Sequence, residues 1–256
     1  MAIASFCFRM YTALGLKISI TITQGKGKNM LDKNVWQDRW KNAEAYIFDL
    51  DGTLLNSIDD LASSSNHALK TLGYPMRTIE EVRGFVGNGI PKMLERSFPD
   101  DIEYTPEIQA ELLEEFHKYY VNHLWDYTMI YPGINETIAL LQNKGKKLFV
   151  LTNKEQSAAE KIVEHFWPGV FIEVAGEAPN RALKPSPDYL VEMLAKANLT
   201  PSQAVMIGDG DTDVEVALSS GALAAAAGWG FKGVEFLSKY NPDGILAEAS
   251  DMLELI

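Results

Sequence analysis

From Ala45 onward the chain alternates short, unbroken apolar runs with stretches whose apolar residues recur every three or four positions. The runs lie at 45–48, 148–151, 170–172 and 204–207. Hydrophobicity that is continuous along a run, rather than alternating, is what a strand buried on both faces requires. Amphipathic spacing predicts helices at 134–142, 155–166, 187–197 and 213–220, the last closed by Gly221. Strand and helix in strict alternation predict an α/β fold, a doubly wound parallel sheet wrapped by helices. Between Ser57 and about Thr128 the strand pattern disappears. Ile108, Leu112, Phe116 and Tyr120 recur there at i, i+4, Gly73 stops a first helix after Leu72, and Pro91 opens another. The pattern therefore predicts an inserted all-helical cap domain at 58–128 and an α/β core built from 42–57 and 129–256.

Residues 1–31 stand apart from this pattern. They contain Arg9, Lys17, Lys26 and Lys28 but no acidic residue, so the remaining 225 residues carry a net charge of −16 against −12 for the whole chain. Arg9 and Lys17 interrupt the apolar core a secretory signal needs. The segment reads as a poorly ordered extension: either a basic, hydroxyl-bearing transit peptide or the product of an upstream start, with Met30 the working one. At 256 residues with 46% apolar and 23% charged positions, the chain suits one core domain plus a substantial insertion. No apolar run approaches the roughly 18 residues of a membrane span. Cys7 is the single cysteine, which excludes an internal disulfide framework or thiolate metal cluster and fits a reducing, cytoplasmic setting. The negative balance opposes a non-specific grip on nucleic acid or an anionic membrane. An anionic ligand is still admissible, because salt screens distant charge within about 10 Å and local groups decide.

Candidate chemistry sits at the strand ends. Phe48 is followed by Asp49-Leu50-Asp51-Gly52-Thr53, Leu151 by Thr152-Asn153-Lys154, and Ile207 by Gly208-Asp209-Gly210-Asp211-Thr212-Asp213. In an open parallel sheet the carboxyl ends of the strands converge on one crevice, where ligands bind. A fourth element, Leu183-Lys184-Pro185-Ser186-Pro187, puts a lysine before a proline-opened helix, where it and the following N–H groups face an anion. Asp49, Asp51, Asp209 and Asp213, if all ionised within a few ångströms, repel one another, so protons or a cation must sit among them. Oxygen-only donors favour a hard ion, and Mg²⁺ is the natural choice. His67, His117, His123 and His165 fall in helical stretches away from the strand ends and read as surface or packing residues. Gly84, Gly87 and Gly89 follow no buried strand, so they are not a dinucleotide fingerprint. They form either turns between cap helices or a substrate-facing loop.

Taken together, the segments beginning at Phe48, Leu151, Lys184 and Gly208 resemble, in order and spacing, the four motifs of the haloacid dehalogenase superfamily. The likeness extends from about Ala45 to the C-terminus, and includes Tyr131-Pro132-Gly133 and Asn241-Pro242-Asp243-Gly244. Residues 82–89 resemble the glycine-rich cap segment of phosphoglycolate phosphatases. The resemblance implies a catalytic set of Asp49, Asp51, Thr152 and Lys184. In it Asp49 is the nucleophile that forms an aspartyl-phosphate, and Asp51 is the acid and base. It further implies that Gly52, Thr152, Asn153 and Lys184 bind the substrate. Asp49, the backbone carbonyl of Asp51 and Asp209 would ligate Mg²⁺, with Asp213 orienting them. Lys154 reaches the phosphate or the leaving group, or is a solvated first-turn residue. One departure stands out: the relatives usually have Ser or Thr where this chain has Gly210, and Asp211 adds a carboxylate beside it.

The expected function is Mg²⁺-dependent hydrolysis of a small phosphorylated metabolite, phosphoglycolate first. Three alternatives share these residues in part: a phosphosugar mutase of the same superfamily, a metal-free dehalogenase, and a non-catalytic phosphate-binding protein.

Overall fold

The computed structural model describes residues 33–256 and, within the N-terminal extension, the backbone of Ser5–Tyr11 (β1) and Lys17–Thr23 (β2), which pair antiparallel. The expectation for 1–31 otherwise lies outside the described residues. Helix α1 (Lys33–Asn42) leads into β3 (Ala45–Phe48). After a tight turn, β4 (Leu55–Asn56) pairs antiparallel with β5 (Met129–Ile130). Between those two short strands run α2 (Ile58–Thr71), α3 (Ile79–Phe85), α4 (Ile90–Ser97) and α5 (Pro106–Tyr120). The chain then alternates through α6 (Ile134–Asn143), β6 (Lys147–Glu155), α7 (Gln156–Phe166), β7 (Glu173–Glu177), α8 (Asp188–Lys196), β8 (Ala204–Gly208), α9 (Asp211–Ser220), β9 (Leu223–Ala227), α10 (Gly233–Leu237) and β10 (Gly244–Leu246).

The six core strands lie in the order β10-β9-β8-β3-β6-β7, and every pairing is parallel. Side chains alternate between the two faces of a strand, and the cores follow that rule. Tyr46, Phe48, Leu148, Val150, Val205 and Ile207 enter the core shared with α1, α6, α7 and the inserted helices. Their neighbours Ala45, Ile47, Phe149, Leu151, Ala204 and Met206 enter the core beneath α8 and α9. All four residues of β3 have no exposed surface, which explains its unbroken apolar run. The order reverses about β3, since β6 and β7 lie on one side of it and β8 to β10 on the other. That reversal opens a crevice at the carboxyl ends of β3, β6 and β8.

Two expectations need correction. Residues 170–172 are not a strand; the strand is β7, starting one residue later. β7 lies at the sheet edge and is only half buried, so it needs few apolar residues. The apolar residue Phe171 instead packs edge-on against Phe48, ring centroids 6.4 Å apart. β9 and β10 complete the sheet although no run announced them. Among the described residues no helix is long and apolar enough to cross a membrane.

Candidate active site

Four separate stretches converge at this crevice. Asp49 and Asp51 follow β3, Thr152, Asn153 and Lys154 end β6, Lys184 sits in the loop before α8, and Asp209 and Asp213 flank the start of α9. The register of β6 against β7 shifts between Leu151 and Glu155, an irregularity of the kind that re-aims side chains beside functional sites.

Lys184 is the hub. Its Nζ lies 2.9 Å from Asp49 Oδ1 and 2.5 Å from Asp213 Oδ1. Burial disfavours its charged form, but the two carboxylates outweigh that and raise its pKa. The other oxygen of Asp213 accepts the Gly210 N–H at 2.9 Å, so both of its oxygens are engaged within the protein. Asp209 accepts the Phe231 N–H at 2.7 Å and the Thr53 hydroxyl at 3.4 Å. Its position depends on two glycines. A Cβ on Gly52, whose φ is +81°, would lie 2.3 Å from an Asp209 carboxylate oxygen, and one on Gly230 would lie 2.2 Å from the Asp209 Cβ.

Carboxylate oxygens of Asp49, Asp209 and Asp213 all lie within 4.8 Å of one another. Three carboxylates against the single charge of Lys184 leave two formal negative charges, which one divalent cation balances. Burial, reinforced by the charges of Asp49 and Asp213, pushes Asp209 well above the usual carboxylate range. Burial likewise pushes Asp213 up to about 6, against the pull of Lys184. Protonation is how such a cluster relieves repulsion without a cation, so the donor set and its charge fit a hard divalent ion.

Asp51 faces a different neighbour. Lys154 Nζ lies 3.0 and 3.1 Å from its two oxygens, and the Ser57 hydroxyl donates to Oδ1 at 2.5 Å. Lys154 is 4% exposed, so the solvated first-turn alternative does not hold. Its ammonium sits 5.0 Å from the centroid of the Tyr120 ring of α5.

Two candidate binding residues are engaged within the protein. The Asn153 amide accepts the Lys184 N–H at 2.9 Å and donates to the carbonyls of Lys184 at 3.0 Å and Gly87 at 3.2 Å. The Gly52 N–H donates to the Leu55 carbonyl at 2.8 Å inside its turn. Thr152 lines the cleft, with its hydroxyl accepting the Lys154 N–H at 3.3 Å. Asp211 begins α9 outside the lining.

The cleft encloses about 590 Å³, counting the part open to solvent. Its core wall is charged, whereas Leu61, Val86, Ile90 and Met93 give the wall from the inserted helices an apolar surface. Gly87 and Gly89 join that wall, which settles their segment as cleft-facing. None of the four histidines, all among the described residues, lines it: His67 and His123 both stack on the Tyr119 ring, His165 stacks on Trp125, and His117 pairs with Glu155. Ser57, Phe231 and Lys232 escaped the sequence reading. Phe231 and Lys232 follow β9, so recognising that alanine-rich strand would have drawn them to the same crevice.

Known proteins resemble this chain in sequence and fold. The description of the haloacid dehalogenase-like hydrolases matches residues 46–227. A phosphoglycolate phosphatase of Vibrio parahaemolyticus is 31% identical over 214 residues, covering 82% of this chain and 94% of the relative. That of Mannheimia succiniciproducens is 33% identical over 215 residues, covering 82% and 96%. The crystal structure of a predicted phosphoglycolate phosphatase from Haemophilus somnus superposes with a TM-score of 0.78 at 29% identity, covering 84% of this chain and 98% of that one. With the fold, the strand-end carboxylates and these likenesses in agreement, the chain belongs to the haloacid dehalogenase-like hydrolase family.

Proposed function

We propose that this protein is a Mg²⁺-dependent phosphatase that hydrolyses a small phosphorylated metabolite, phosphoglycolate first, through an aspartyl-phosphate on Asp49. The observation that supports this most is the position of Asp49. It stands at the end of the central strand, beside Lys184 and within 4.8 Å of the other carboxylates, while Asp51 faces the same cleft.

In the first transfer an Asp49 oxygen attacks phosphorus and the bond from phosphorus to the ester oxygen breaks. Asp51 delivers a proton to that departing oxygen. In the second, Asp51 takes a proton from a water, whose oxygen attacks phosphorus and frees Asp49 with release of inorganic phosphate. Lys184 and the Thr152 hydroxyl hold the phosphoryl oxygens, where fixed donors count for more than in water. Asp49, the backbone carbonyl of Asp51 and Asp209 are the residues to hold Mg²⁺, which when bound neutralises charge on the transferring group. Asp213, held directly by the Lys184 ammonium at 2.5 Å and by the Gly210 N–H, is the residue to orient the lysine and the loop beside the ion. Gly210 lacks a hydroxyl, and the Asp213 carboxylate accepting its N–H braces that loop instead.

Residues 58–128 act as a cap over a core of 42–57 and 129–256, excluding water and reading the non-phosphate part of the substrate. Relatives named phosphoglycolate phosphatases at 31% and 33% identity support that substrate first. A cytoplasmic setting fits the single cysteine.

The test is phosphate release from a panel of monoesters that includes phosphoglycolate, with Mg²⁺ and with EDTA. Wild-type protein releases phosphate only with the metal, and Asp49→Asn loses at least ~10³-fold in kcat. A folded wild-type protein inert on every monoester would overturn the reading.

A further inference from the structure

Phosphoryl transfer as described leaves one buried charge without a task. Lys184 serves the phosphate, yet Lys154 is just as deeply buried, against Asp51 and the Tyr120 ring. Burying an ammonium is costly unless its charge is used. One carboxylate partner offsets part of that cost, and the lysine also lines the cleft. Lys232 is the other lysine of the lining, and its Nζ donates to the Gly84 carbonyl at 2.8 Å. The wall opposite, with Leu61, Val86, Ile90 and Met93, offers no countercharge.

The distances limit what can meet Lys154. An ester oxygen that receives its proton from Asp51 lies about 3 Å from that carboxyl group. Lys154 Nζ lies 3.0 and 3.1 Å from the same carboxyl oxygens. The ester oxygen and the ammonium are then at most about 6 Å apart, one hydrogen-bond length on either side of Asp51. A carboxylate one carbon beyond the ester oxygen fits that span, because its oxygens lie about 3 Å from the ester oxygen and pair with an ammonium at about 3 Å. Without Lys154, the same carboxylate would stand against Asp51 with nothing to offset the repulsion.

Resting on the phosphatase reading, we propose that Lys154 selects the leaving group. It pairs with a carboxylate on the carbon next to the ester oxygen, and so confines the enzyme to phosphate esters of short 2-hydroxy acids.

The experiment compares kcat/KM for phosphoglycolate and for 2-hydroxyethyl phosphate, in which an uncharged alcohol replaces the carboxylate. Wild-type enzyme prefers the acid by about 10–100-fold, the usual worth of a hydrogen bond to a charged group. Lys154→Met, checked for folding by circular dichroism, brings the ratio to about one or reverses it, and Lys154→Arg keeps the preference. Equal losses on both esters in Lys154→Met would overturn the proposal, since the lysine then acts through Asp51 alone. Wild-type indifference to the carboxylate overturns it without any variant. Turnover of other monoesters but neither of these two sinks this inference alone, whereas no turnover of any monoester sinks the phosphatase reading with it.

Discussion

Lys184 lies in the stretch 178–187, which has neither helix nor strand, yet its backbone is held as a neighbouring strand would hold it. The Asn153 amide supplies both bonds, accepting the Lys184 N–H and donating to its carbonyl, and it belongs to β6, a rigid element. Asn153 therefore positions Lys184. Asn153→Ala is expected to lower kcat about 10–100-fold, as losing a group that orients a catalytic one does, with little change in KM. Steady-state kinetics of Asn153→Ala, Lys184→Ala and the double variant check this. If the asparagine works through the lysine, the double variant is no worse than Lys184→Ala; additive losses centred on KM would instead mark a substrate contact. At this scale the sequence was informative about carboxylates and lysines, because polar groups just beyond buried runs have one crevice to face. It could not report partners whose contribution is a backbone atom, such as the Gly87 carbonyl or the Phe231 N–H, nor the Ser57 hydroxyl on Asp51. Those contacts exist only once the chain has folded across itself.

Among the elements, β4 and β5 form the neck through which the chain leaves and re-enters the core. With two residues each, they write no hydrophobic period, and only the disappearance of the strand pattern betrayed the insertion. What ties that neck is Asp60 in the first turn of α2, 2% exposed. Its carboxylate accepts the Tyr127 N–H at 3.1 Å from both oxygens and the Thr128 hydroxyl at 2.6 Å, joining the start of the insertion to its end. Asp60→Ala leaves those donors unpaired, so a loss of about 2 kcal/mol is expected, and Asp60→Asn loses less. Thermal melts decide it, with a fall of roughly 5 °C expected for a chain of this size; an unchanged midpoint would remove Asp60 from this role. Legibility of the other elements followed burial. β3, β6 and β8 are buried on both faces and read as unbroken apolar runs. β9 is equally buried, but four of its five residues are alanine, whose intrinsic preference is helical. The small side chains fit between flanking elements, and only the folded sheet makes them a strand.

On the scale of the whole molecule, a chain of net charge −12 binds an anion only if the local field is reversed. Lys184 alone does not reverse it against Asp49, Asp209 and Asp213, so cation binding and folding stability must be linked. In the metal-free protein burial pushes Asp213 up to about 6, and burial with the neighbouring carboxylates pushes Asp209 well above the usual carboxylate range, against about 3.9 in an unfolded chain. The folded state therefore binds more protons than the unfolded one, and metal-free stability falls as pH rises from about 4 through about 6 and beyond. If Mg²⁺ occupies this cluster as proposed, it competes with those protons, so its stabilisation is expected to grow over the same interval. At a hundred times its dissociation constant a ligand of the native state contributes about 2.7 kcal/mol, and a rise in Tm of roughly 5–10 °C is expected near pH 8, reversed by EDTA and much smaller at pH 5. Asp209→Asn removes one of the proposed ligands and part of the repulsion together. Its metal-free form should melt at or above the metal-free wild type at pH 8 while gaining little from Mg²⁺. Differential scanning calorimetry of both proteins at pH 5 and pH 8 tests this without any substrate. A magnesium increment that shrinks with rising pH, or survives intact in Asp209→Asn, would show that the ion binds somewhere other than this carboxylate cluster.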